Sequence, residues 1–421
     1  MDEHLPSDRS VDGALALWAE GYTYISRRAR RIGSDAFRTR MASRRVVCAT
    51  GEEAVRQFYE PGRMTRRGAI PPTTLRLLQD KGSVQTLDGP AHRVRKTLFL
   101  ELLGPDRVRE LVGAFERAWL RRLRVWSSAD EVVLIDQVRE VLCDAVCEWA
   151  GVPIAESDLG RRARQLAAMV EGAGSIGPRN WRALVLRRRA ERWAEGVVAA
   201  ARRGAPAPPE DSVLAHIAAH RDVDGEQLPV DVAAVELLNV LRPTVAVGNF
   251  VVFAALALHD HPDLRPLIDL DDVALDGFVQ EIRRTSPFFP ALGGRVLEPF
   301  EWRGHRFERG SWMVLDLYGT NHDPSRWERP DEIRPLRHVE RPPTAYDLVP
   351  QGGGDPAEGH RCPGELVTVE LTKAAVRRLT TSMSYEVPPQ NLAVDLHRFP
   401  AMPASGFVID RVRSVTLPGE S

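Results

Sequence analysis

The pattern of apolar and polar positions along the chain predicts a mainly helical protein. Apolar residues recur at helical spacing in residues 107–123, 132–151 and 182–203. The stretch 174–181, which contains Gly and Pro, interrupts this series between two helices. Much of the chain between residues 105 and 225 is therefore expected to be helix after helix.

Short strands are predicted outside this helical region. Residues 37–41 and 44–50 alternate like two tightly joined strands, and a helix is expected after Gly51. Residues 302–305 suit the turn of a second hairpin. The predicted fold class is therefore mainly α with small β-sheets.

The longest apolar helical candidate covers about 230–260. Arg242 and Pro243 interrupt it and leave fewer than 18 consecutive apolar residues on either side, so it predicts a buried core helix and no membrane span. A proline inside a helix costs about 3 kcal/mol, and a buried unpaired guanidinium costs several more. One interpretation is a kinked helix that aims Arg242 into a cavity, where it binds a substrate carboxylate. In the other, Arg242 pairs with an internal acid such as Glu236 or reaches solvent.

Composition narrows the function classes. The 421 residues contain no long linker, since residues 202–212 look like a loop between helices, and we expect one domain over 1–421. Lys plus Arg number 57 against 58 Asp plus Glu, a formal charge of −1, which gives no support to nucleic-acid or membrane-surface binding. Residues 1–10 lack the apolar core of a signal peptide, so a cytoplasmic location is expected.

Cysteines are too few and too irregularly spaced for a disulfide framework. The chain has four, at 48, 143, 147 and 362. Cys143 and Cys147 lie four apart on a predicted helix, but no further ligand follows at a usable spacing for a metal. We interpret these two as small core residues.

The most specific chemistry lies in residues 351–365, QGGGDPAEGHRCPGE. Glycines surround Cys362, and the following apolar pattern predicts a helix that begins directly after it, a position that favours a thiolate. His360 and Arg361 stand beside the cysteine to meet negative groups. This combination suits axial ligation of a haem. The alternative is a buried free cysteine.

A second basic cluster accompanies this loop. Pro90 can open a helix on which His92 and Lys96, four residues apart, face the same way and are able to hold a haem propionate. The alternative is an exposed charged helix face.

The cysteine loop resembles that of cytochromes P450, and Glu281 with Arg284 provides the Glu-x-x-Arg pair of that family. The whole chain is similar to the bacterial fatty-acid peroxygenase group, in which His occupies the position of His92. The resemblance implies a single haem-binding domain of the P450 fold and haem b held by the Cys362 thiolate. It also implies a structural role for Glu281 and Arg284, which clamp the Pro- and Arg-rich region before residue 347.

The same resemblance implies an unusual oxidation chemistry. P450 monooxygenases carry an acidic residue and a Thr in the central helix, whereas this chain has Arg242 and Pro243 there. In the peroxygenase group, the arginine holds the substrate carboxylate, which acts as general acid–base toward hydrogen peroxide. This implies hydroxylation of a fatty acid at the α or β carbon without a redox partner. Group members with His at position 85 tend to decarboxylate to terminal alkenes, so Gln85 favours hydroxylation.

Departures from the group concern the substrate walls. Gln79, Ala173 and Ala291 stand where the resemblance places bulky apolar residues, while Phe288 and Phe289 remain as apolar wall. A bulkier or functionalised carboxylic acid is therefore one alternative to a simple fatty acid. The others are decarboxylation, a conventional monooxygenase fed by redox partners, and a helical binding protein without haem.

Overall fold

A computed structural model describes residues 5–415 apart from residues 9, 11 and 81, and helices dominate it. The helices are α1 (Gly13–Glu20), α2 (Tyr24–Ile32), α3 (Glu52–Tyr59), α4 (Pro72–Leu78), α5 (Gly89–Leu102), α6 (Pro105–Trp126), α7 (Leu134–Ala150), α8 (Glu156–Ala173), α9 (Pro178–Arg202), α10 (Val213–Ala219), α11 (Val230–Ala246), α12 (Gly248–Asp260), α13 (Leu264–Leu270), α14 (Asp272–Thr285), α15 (Leu317–Asn321), α16 (Arg337–Glu340) and α17 (Glu365–Arg377). The predicted helical series is confirmed, and the interruption before α9 falls at residues 174–177.

The strands form two small sheets and one ribbon. They are β1 (Ala36–Met41), β2 (Arg44–Ala49), β3 (Met64–Thr65), β4 (Glu131–Val133), β5 (Ala291–Val296), β6 (Phe300–Trp302), β7 (His305–Phe307), β8 (Trp312–Asp316), β9 (Met383–Glu386) and β10 (Val408–Ser414). The larger sheet has the order β1-β2-β8-β5-β3, the second has β4-β10-β9, and β6 pairs with β7. Both predicted hairpins are confirmed. The β6–β7 turn places Arg303 and Gly304 at positive φ.

The main core lies among the long helices. Helices α6, α7, α11 and α17 pack around buried aromatic and aliphatic side chains, among them Trp119 and Trp126, whose rings lie 5.1 Å apart. Cys143 and Cys147 are buried in this cluster as core residues. Helices α8 and α9 cover α11 from outside. The two ends of the predicted range 1–421 lie outside the described residues, so the full extent of the domain stays a prediction.

The central helix is buried, and it is interrupted at one residue. Residues Val230–Asp260 are long and apolar enough to cross a membrane, with a mean hydropathy of 1.7, but 83% of the most apolar window is buried inside the protein. This confirms a core helix. The predicted break at Arg242 and Pro243 is displaced: α11 continues through Pro243 to Ala246, and Val247 separates it from α12. Pro243 cannot donate to the carbonyl one turn earlier, while the next turn closes through the Val247 N–H to Thr244 O, 3.1 Å.

Glu281 and Arg284 of α14 are both fully buried and joined by two hydrogen bonds of 2.7 and 2.9 Å. Arg284 also donates to the carbonyls of Asn321, Pro330 and Glu332. His338 and Arg337 of α16 add donors to the Glu281 carboxylate at 2.9 and 3.2 Å. The pair thus ties α14 to the segment after α15, an arrangement that supports its proposed structural role.

The Glu281 cluster predicts a specific acid sensitivity. Burial opposes ionisation, but the hydrogen bond from His338 and the Arg284 guanidinium lower the pKa of Glu281 from 4.5 to about 2. A depressed folded-state pKa stabilises the fold above pH 4.5, and this contribution disappears as pH falls toward 2. We expect Glu281→Gln to lower the free energy of unfolding by about 3–5 kcal/mol at neutral pH and to flatten its dependence on pH in this window.

Urea unfolding of the holoenzyme across pH measures both effects. Glu386→Gln is the matched control, because Glu386 forms an exposed ion pair with Arg411, and it should change stability by less than about 1 kcal/mol. Equal losses in the two variants would contradict a clamping role for Glu281.

Candidate active site

The cysteine loop ends at the N-terminus of α17, and Gly364 is the N-cap residue. The Cys362 N–H donates to Gln351 O at 3.2 Å, and Gln351 Nε2 lies 3.8 Å from Cys362 Sγ. Burial raises the pKa of the Cys362 thiol, while the Gly364 N–H, the Lys96 charge and the Gln351 amide act in the opposite direction. Burial therefore acts against the thiolate that the helix end favours, and ligation to a metal would supply the missing stabilisation.

The glycines of this loop are required by packing against α3. Gly352 has φ 96°, and a Cβ there would lie 2.4 Å from Tyr59 Oη. A Cβ on Gly353 would lie 2.5 Å from Val55 Cγ1. Side chains at these positions would push the loop away from α3. The glycines therefore allow the cysteine loop to pack closely against this helix.

Buried basic groups lie next to the loop. His92 and Lys96 of α5 are only 5% and 3% exposed, which excludes the exposed-face alternative. The rings of His92 and His360 are 4.3 Å apart, and Lys96 Nζ donates to Arg361 O. Burial, followed by the Lys96 charge, lowers the pKa of His92 to about 4, and burial lowers that of Lys96 to about 8. Asp88 Oδ1 lies 4.0 Å from His360 Nε2, and Asp355 acts on Lys96, but basic groups outnumber these acids, so the chemistry of the cluster fits haem propionates.

The other predicted cofactor residue, Arg361, is engaged within the loop. Its Nε and Nη2 atoms lie 2.8 and 2.7 Å from Glu365 Oε2, and its Nη1 donates to Gly354 O at 3.1 Å. A basic residue absent from the prediction, Arg66, is buried near the two histidines, and its charge contributes to lowering the pKa of both. No sequence spacing connects Arg66 to α5, because it is placed by the segment that follows β3.

Arg242 is buried and has neutral hydrogen-bond partners. It is 5% exposed, and its Nη2 and Nη1 atoms donate to Asn239 Oδ1 at 2.9 Å and Leu77 O at 3.3 Å. Within the part of the chain that the structure describes, no Asp or Glu forms an ion pair with it. Glu236 instead pairs with Arg95 at 2.6 Å and accepts from the Val84 N–H at 2.8 Å. The alternative of internal neutralisation or solvent exposure is therefore excluded.

Asn239 connects the predicted catalytic residues. Its Nδ2 atom donates to Glu236 Oε2 at 2.8 Å and to Gln85 Oε1 at 3.3 Å, while its Oδ1 accepts from Arg242. Both the nitrogen and the oxygen of the Asn239 side-chain amide therefore have hydrogen-bond partners, and these partners fix the orientation of the amide. Asn239 was not predicted as a site residue from the sequence. Its position three residues before Arg242, on the same helix face, is the signal that could have identified it.

The substrate-wall residues divide into two groups. Gln79 follows α4, and Ala173 packs with Leu77 and Ala183, so both lie near the carbonyl that Arg242 contacts. The rings of Phe288 and Phe289 are 4.5 Å apart, but Phe288 packs against α12, whereas Phe289 packs against a core cluster of the larger sheet.

Ala291 belongs with the sheet as well. It is the first residue of β5 and packs against the cluster formed by α2, β1 and β2. The structure therefore brings Gln79, Ala173 and Arg242 together around Leu77 and leaves Phe289 and Ala291 with the sheet.

A second guanidinium lies beside Arg242. Arg187 of α9 is 0% exposed, and its Nη1 donates to the same Leu77 O at 3.4 Å. Burial, and then repulsion from Arg187, lowers the pKa of Arg242 to about 9, although Glu236 acts in the opposite direction. Arg187 was not predicted as a site residue, because it belongs to a run of arginines, which is typical of an exposed face. Glu191 lies 2.8 Å from Arg187, so the positive charge suited to an anion is that of Arg242.

Helix α5 joins the two halves of the site. Lys96 reaches the cysteine loop, and the adjacent Arg95 reaches Glu236 of α11. The loop that carries the predicted iron ligand and the helix that carries Arg242 are therefore held by neighbouring residues of one helix.

Comparison with solved structures shows close similarity over almost the whole chain. Cytochrome P450SP alpha in complex with (R)-ibuprophen has a TM-score of 0.93 and 42% identity, covering 96% of this chain and 99% of that one. Cytochrome P450EX alpha with myristic acid has a TM-score of 0.94 and 38% identity, covering 98% and 100%. A variant of cytochrome P450 OleT in complex with arachidonic acid has a TM-score of 0.95 and 32% identity, covering 99% and 100%.

Curated relatives match over shorter stretches. Rhazimal synthase of Alstonia scholaris is 23% identical over 328 residues, which is 65% of this chain and 63% of that protein. The matched region thus spans less than two thirds of its length. No protein-family profile matches the chain.

The buried Arg242 predicts an unusual stability effect. Arg242→Met removes a buried charge that lacks a counter-ion and retains most of the side-chain volume. We expect the substrate-free protein to gain about 1 kcal/mol in its free energy of unfolding, since desolvation of the charge outweighs the lost hydrogen bonds.

Arg95→Met is the contrasting variant, because it leaves Glu236 buried without its cation, and it should lose about 3–5 kcal/mol. Denaturant unfolding of both proteins without added acid makes the comparison. A loss for Arg242→Met as large as that for Arg95→Met would show that Arg242 belongs to the structural ion network.

Proposed function

The chain belongs to the CYP152 family of cytochromes P450, the bacterial fatty-acid peroxygenases, and from this premise we propose that it uses hydrogen peroxide to hydroxylate a carboxylic acid whose carboxylate binds Arg242. As a member of this family it is an oxidoreductase that binds haem b through a cysteine thiolate. Carboxylic acids are the substrate class supported by the solved relatives. We propose a fatty acid or a related acid, oxidised at the α or β carbon.

The observation that carries this proposal is the buried guanidinium of Arg242. Its partners are the neutral oxygens of Asn239 and Leu77, and the nearby Glu236 is committed to Arg95. A substrate carboxylate is the counter-ion that this arrangement lacks, and a charge-assisted pair in a buried site is strong and directional.

In the proposed mechanism, the protein positions a proton acceptor that it does not itself supply. The Cys362 thiolate would hold the haem, which when bound would supply the iron chemistry for cleavage of the peroxide O–O bond. Arg242 holds the substrate carboxylate where it accepts a proton from hydrogen peroxide and returns it to the departing oxygen. His92, Lys96 and His360 are the residues proposed to bind the propionates.

The remaining residues keep Arg242 in place. The connected side chains of Arg95, Glu236 and Asn239 position one edge of the Arg242 guanidinium, and Pro243 directly after it lacks the N–H that would donate within the helix. Such support matters because small errors in position reduce rates strongly.

Gln85 bears on the choice between hydroxylation and decarboxylation. Its Oε1 accepts from Asn239, so its NH₂ group is left to orient water or substrate. A neutral amide cannot deliver a proton as an imidazolium can, and this favours hydroxylation. We propose that the reaction needs no redox partner and takes place in the cytoplasm.

A second candidate substrate is a functionalised or bulkier carboxylic acid. It is favoured by the polar Gln79 and the small Ala173 and Ala183 side chains near Leu77. Cytochrome P450SP alpha, which accommodates (R)-ibuprophen, supports this possibility.

Peroxide-driven turnover tests the proposed function. Purified holoenzyme incubated with hydrogen peroxide and fatty acids of graded length should yield hydroxylated products without any reductase. Arg242→Gln should lower product formation by about 100-fold or more, because the carboxylate is no longer held. Mass spectrometry of the products gives both the rate and the oxidised carbon.

The methyl ester of the best acid is the substrate-side control, and wild-type enzyme should oxidise it as poorly as the variant oxidises the acid. Turnover that required a redox partner and persisted in Arg242→Gln would instead identify a conventional monooxygenase.

Replacing the proposed iron ligand tests the haem assignment. Cys362→Ser should abolish the ferrous–CO absorbance characteristic of thiolate ligation, together with peroxide-driven turnover. Cys143→Ala, a change in the core of α7, should keep the absorbance. A wild-type protein purified without a Soret band would favour a helical binding protein, and an unchanged spectrum in Cys362→Ser would exclude this cysteine.

A further inference from the structure

Two buried polar atoms near Arg242 have no hydrogen-bond partner within the described residues. One is Arg187 Nη2, a donor on a side chain that is 0% exposed, and the other is Gln79 Oε1, an acceptor. Buried polar atoms are nearly always paired, so such a donor and acceptor call for an explanation. A ligand group that both donates and accepts would satisfy the two together.

The polar atoms belong to the surroundings of the proposed carboxylate anchor. The Leu77 carbonyl accepts from Arg187 Nη1 at 3.4 Å and from Arg242 Nη1 at 3.3 Å, so the two guanidinium groups meet on one oxygen. Gln79 follows two residues later in the chain. In a substrate held by Arg242, the atoms a few bonds away from the carboxylate would therefore lie near Gln79 and Arg187.

Charge balance distinguishes what each arginine binds. Arg187 Nε donates to Glu191 at 2.8 Å, and its Nη2 lies 3.8 Å from Asp80 Oδ2. Burial raises the pKa of Glu191, and a hydrogen bond with Asp80 raises it further, whereas the hydrogen bond from Arg187 acts in the opposite direction. Arg187 is thus already neutralised within the protein, whereas Arg242 is not.

We propose that Gln79 and Arg187 form a second subsite that binds an uncharged hydroxyl group on the substrate, which makes a hydroxy carboxylic acid the preferred substrate class. The hydroxyl donates to Gln79 Oε1 and accepts from Arg187 Nη2. A second carboxylate is disfavoured, because Arg187 has no uncompensated charge and Gln79 Oε1 would repel it. This inference rests on the proposed function, since the carboxylate on Arg242 sets the position of the chain.

A purely structural role accounts for only part of the Arg187 side chain. Its Nε and Nη1 atoms tie α9 to itself and to the end of α4. That role does not involve Gln79 Oε1, and it leaves Nη2 without a hydrogen bond. The proposed subsite accounts for both remaining atoms with one ligand group.

Equilibrium binding to the holoenzyme tests the subsite. The probes are one saturated fatty acid, a positional series of its monohydroxylated forms, and the methyl esters of all of these. We expect at least one hydroxy acid to bind the wild-type protein about tenfold or more tightly than the plain acid, because its hydroxyl satisfies buried groups that are otherwise unpaired. Each acid should bind better than its ester.

Two variants assign the preference to the named residues. Gln79→Leu removes the acceptor and should abolish the preference for the hydroxy acid while keeping the preference for acid over ester. Arg187→Lys retains the charge beside Glu191 but lacks the planar fork, and it should weaken the hydroxyl preference in the same way. Gln227→Leu, the same glutamine-to-leucine change at an exposed position, should leave both preferences unchanged.

The outcomes separate this inference from the proposed function. Equal binding of plain and hydroxylated acids, with acids still preferred over esters, would overturn the subsite and leave Arg242 as anchor. A hydroxyl preference that survived undiminished in both variants would place the hydroxyl elsewhere and also overturn the subsite. Equal binding of acids and esters would overturn the proposed function and, with it, the subsite.

Discussion

The structure depends on the buried positive charge of Arg242, for which the described residues provide no ion-pair partner. Glu236 is the acid nearest to Arg242 along the helix, but it is held by Arg95 and the Val84 N–H, and Asn239 stands between it and Arg242. The guanidinium is thus oriented by neutral oxygens while its charge stays uncompensated. A buried charge of this kind is costly until an anion arrives, and the cost becomes binding selectivity for a carboxylate.

This arrangement requires a fixed distance between the two sides of the active site, the cysteine loop and helix α11. Helix α5 provides that link through adjacent residues, since Lys96 contacts the cysteine loop and Arg95 contacts α11. The helix that carries Arg242 continues through Pro243 to Ala246, so Arg242 lies within an unbroken helical segment. A helix is a rigid element, so an ion pair at one end of the site and a hydrogen bond at the other constrain the separation between the proposed iron ligand and the carboxylate anchor.

The residues around Leu77 form a polar wall next to the proposed position of the substrate carboxylate. Arg187 and Arg242 donate to the same carbonyl, yet only Arg187 has acids beside it. Under the proposed function, this difference separates the roles of the two arginines: Arg242 binds the substrate carboxylate, and Arg187 offers a hydrogen bond without an uncompensated charge. Substrate choice would then depend on local charge balance as well as on the shape of the pocket.

Local sequence patterns were sufficient to predict the helices, both hairpins, the cysteine loop before α17 and the burial of the central helix, because these follow from local periodicity, turn residues and helix-end chemistry. They also identified Arg242 as a residue whose burial needs a reason. Only the tertiary structure decided which charges are already paired: Arg361 with Glu365, Glu236 with Arg95, and Arg187 with Glu191. It likewise placed Arg66, Asn239 and the Leu77 carbonyl. The pair of Glu236 and Arg95 joins residues more than a hundred positions apart in the chain, and a local pattern does not contain such a contact. The pairs formed by neighbours on one helix depend on burial, which a local pattern does not contain either.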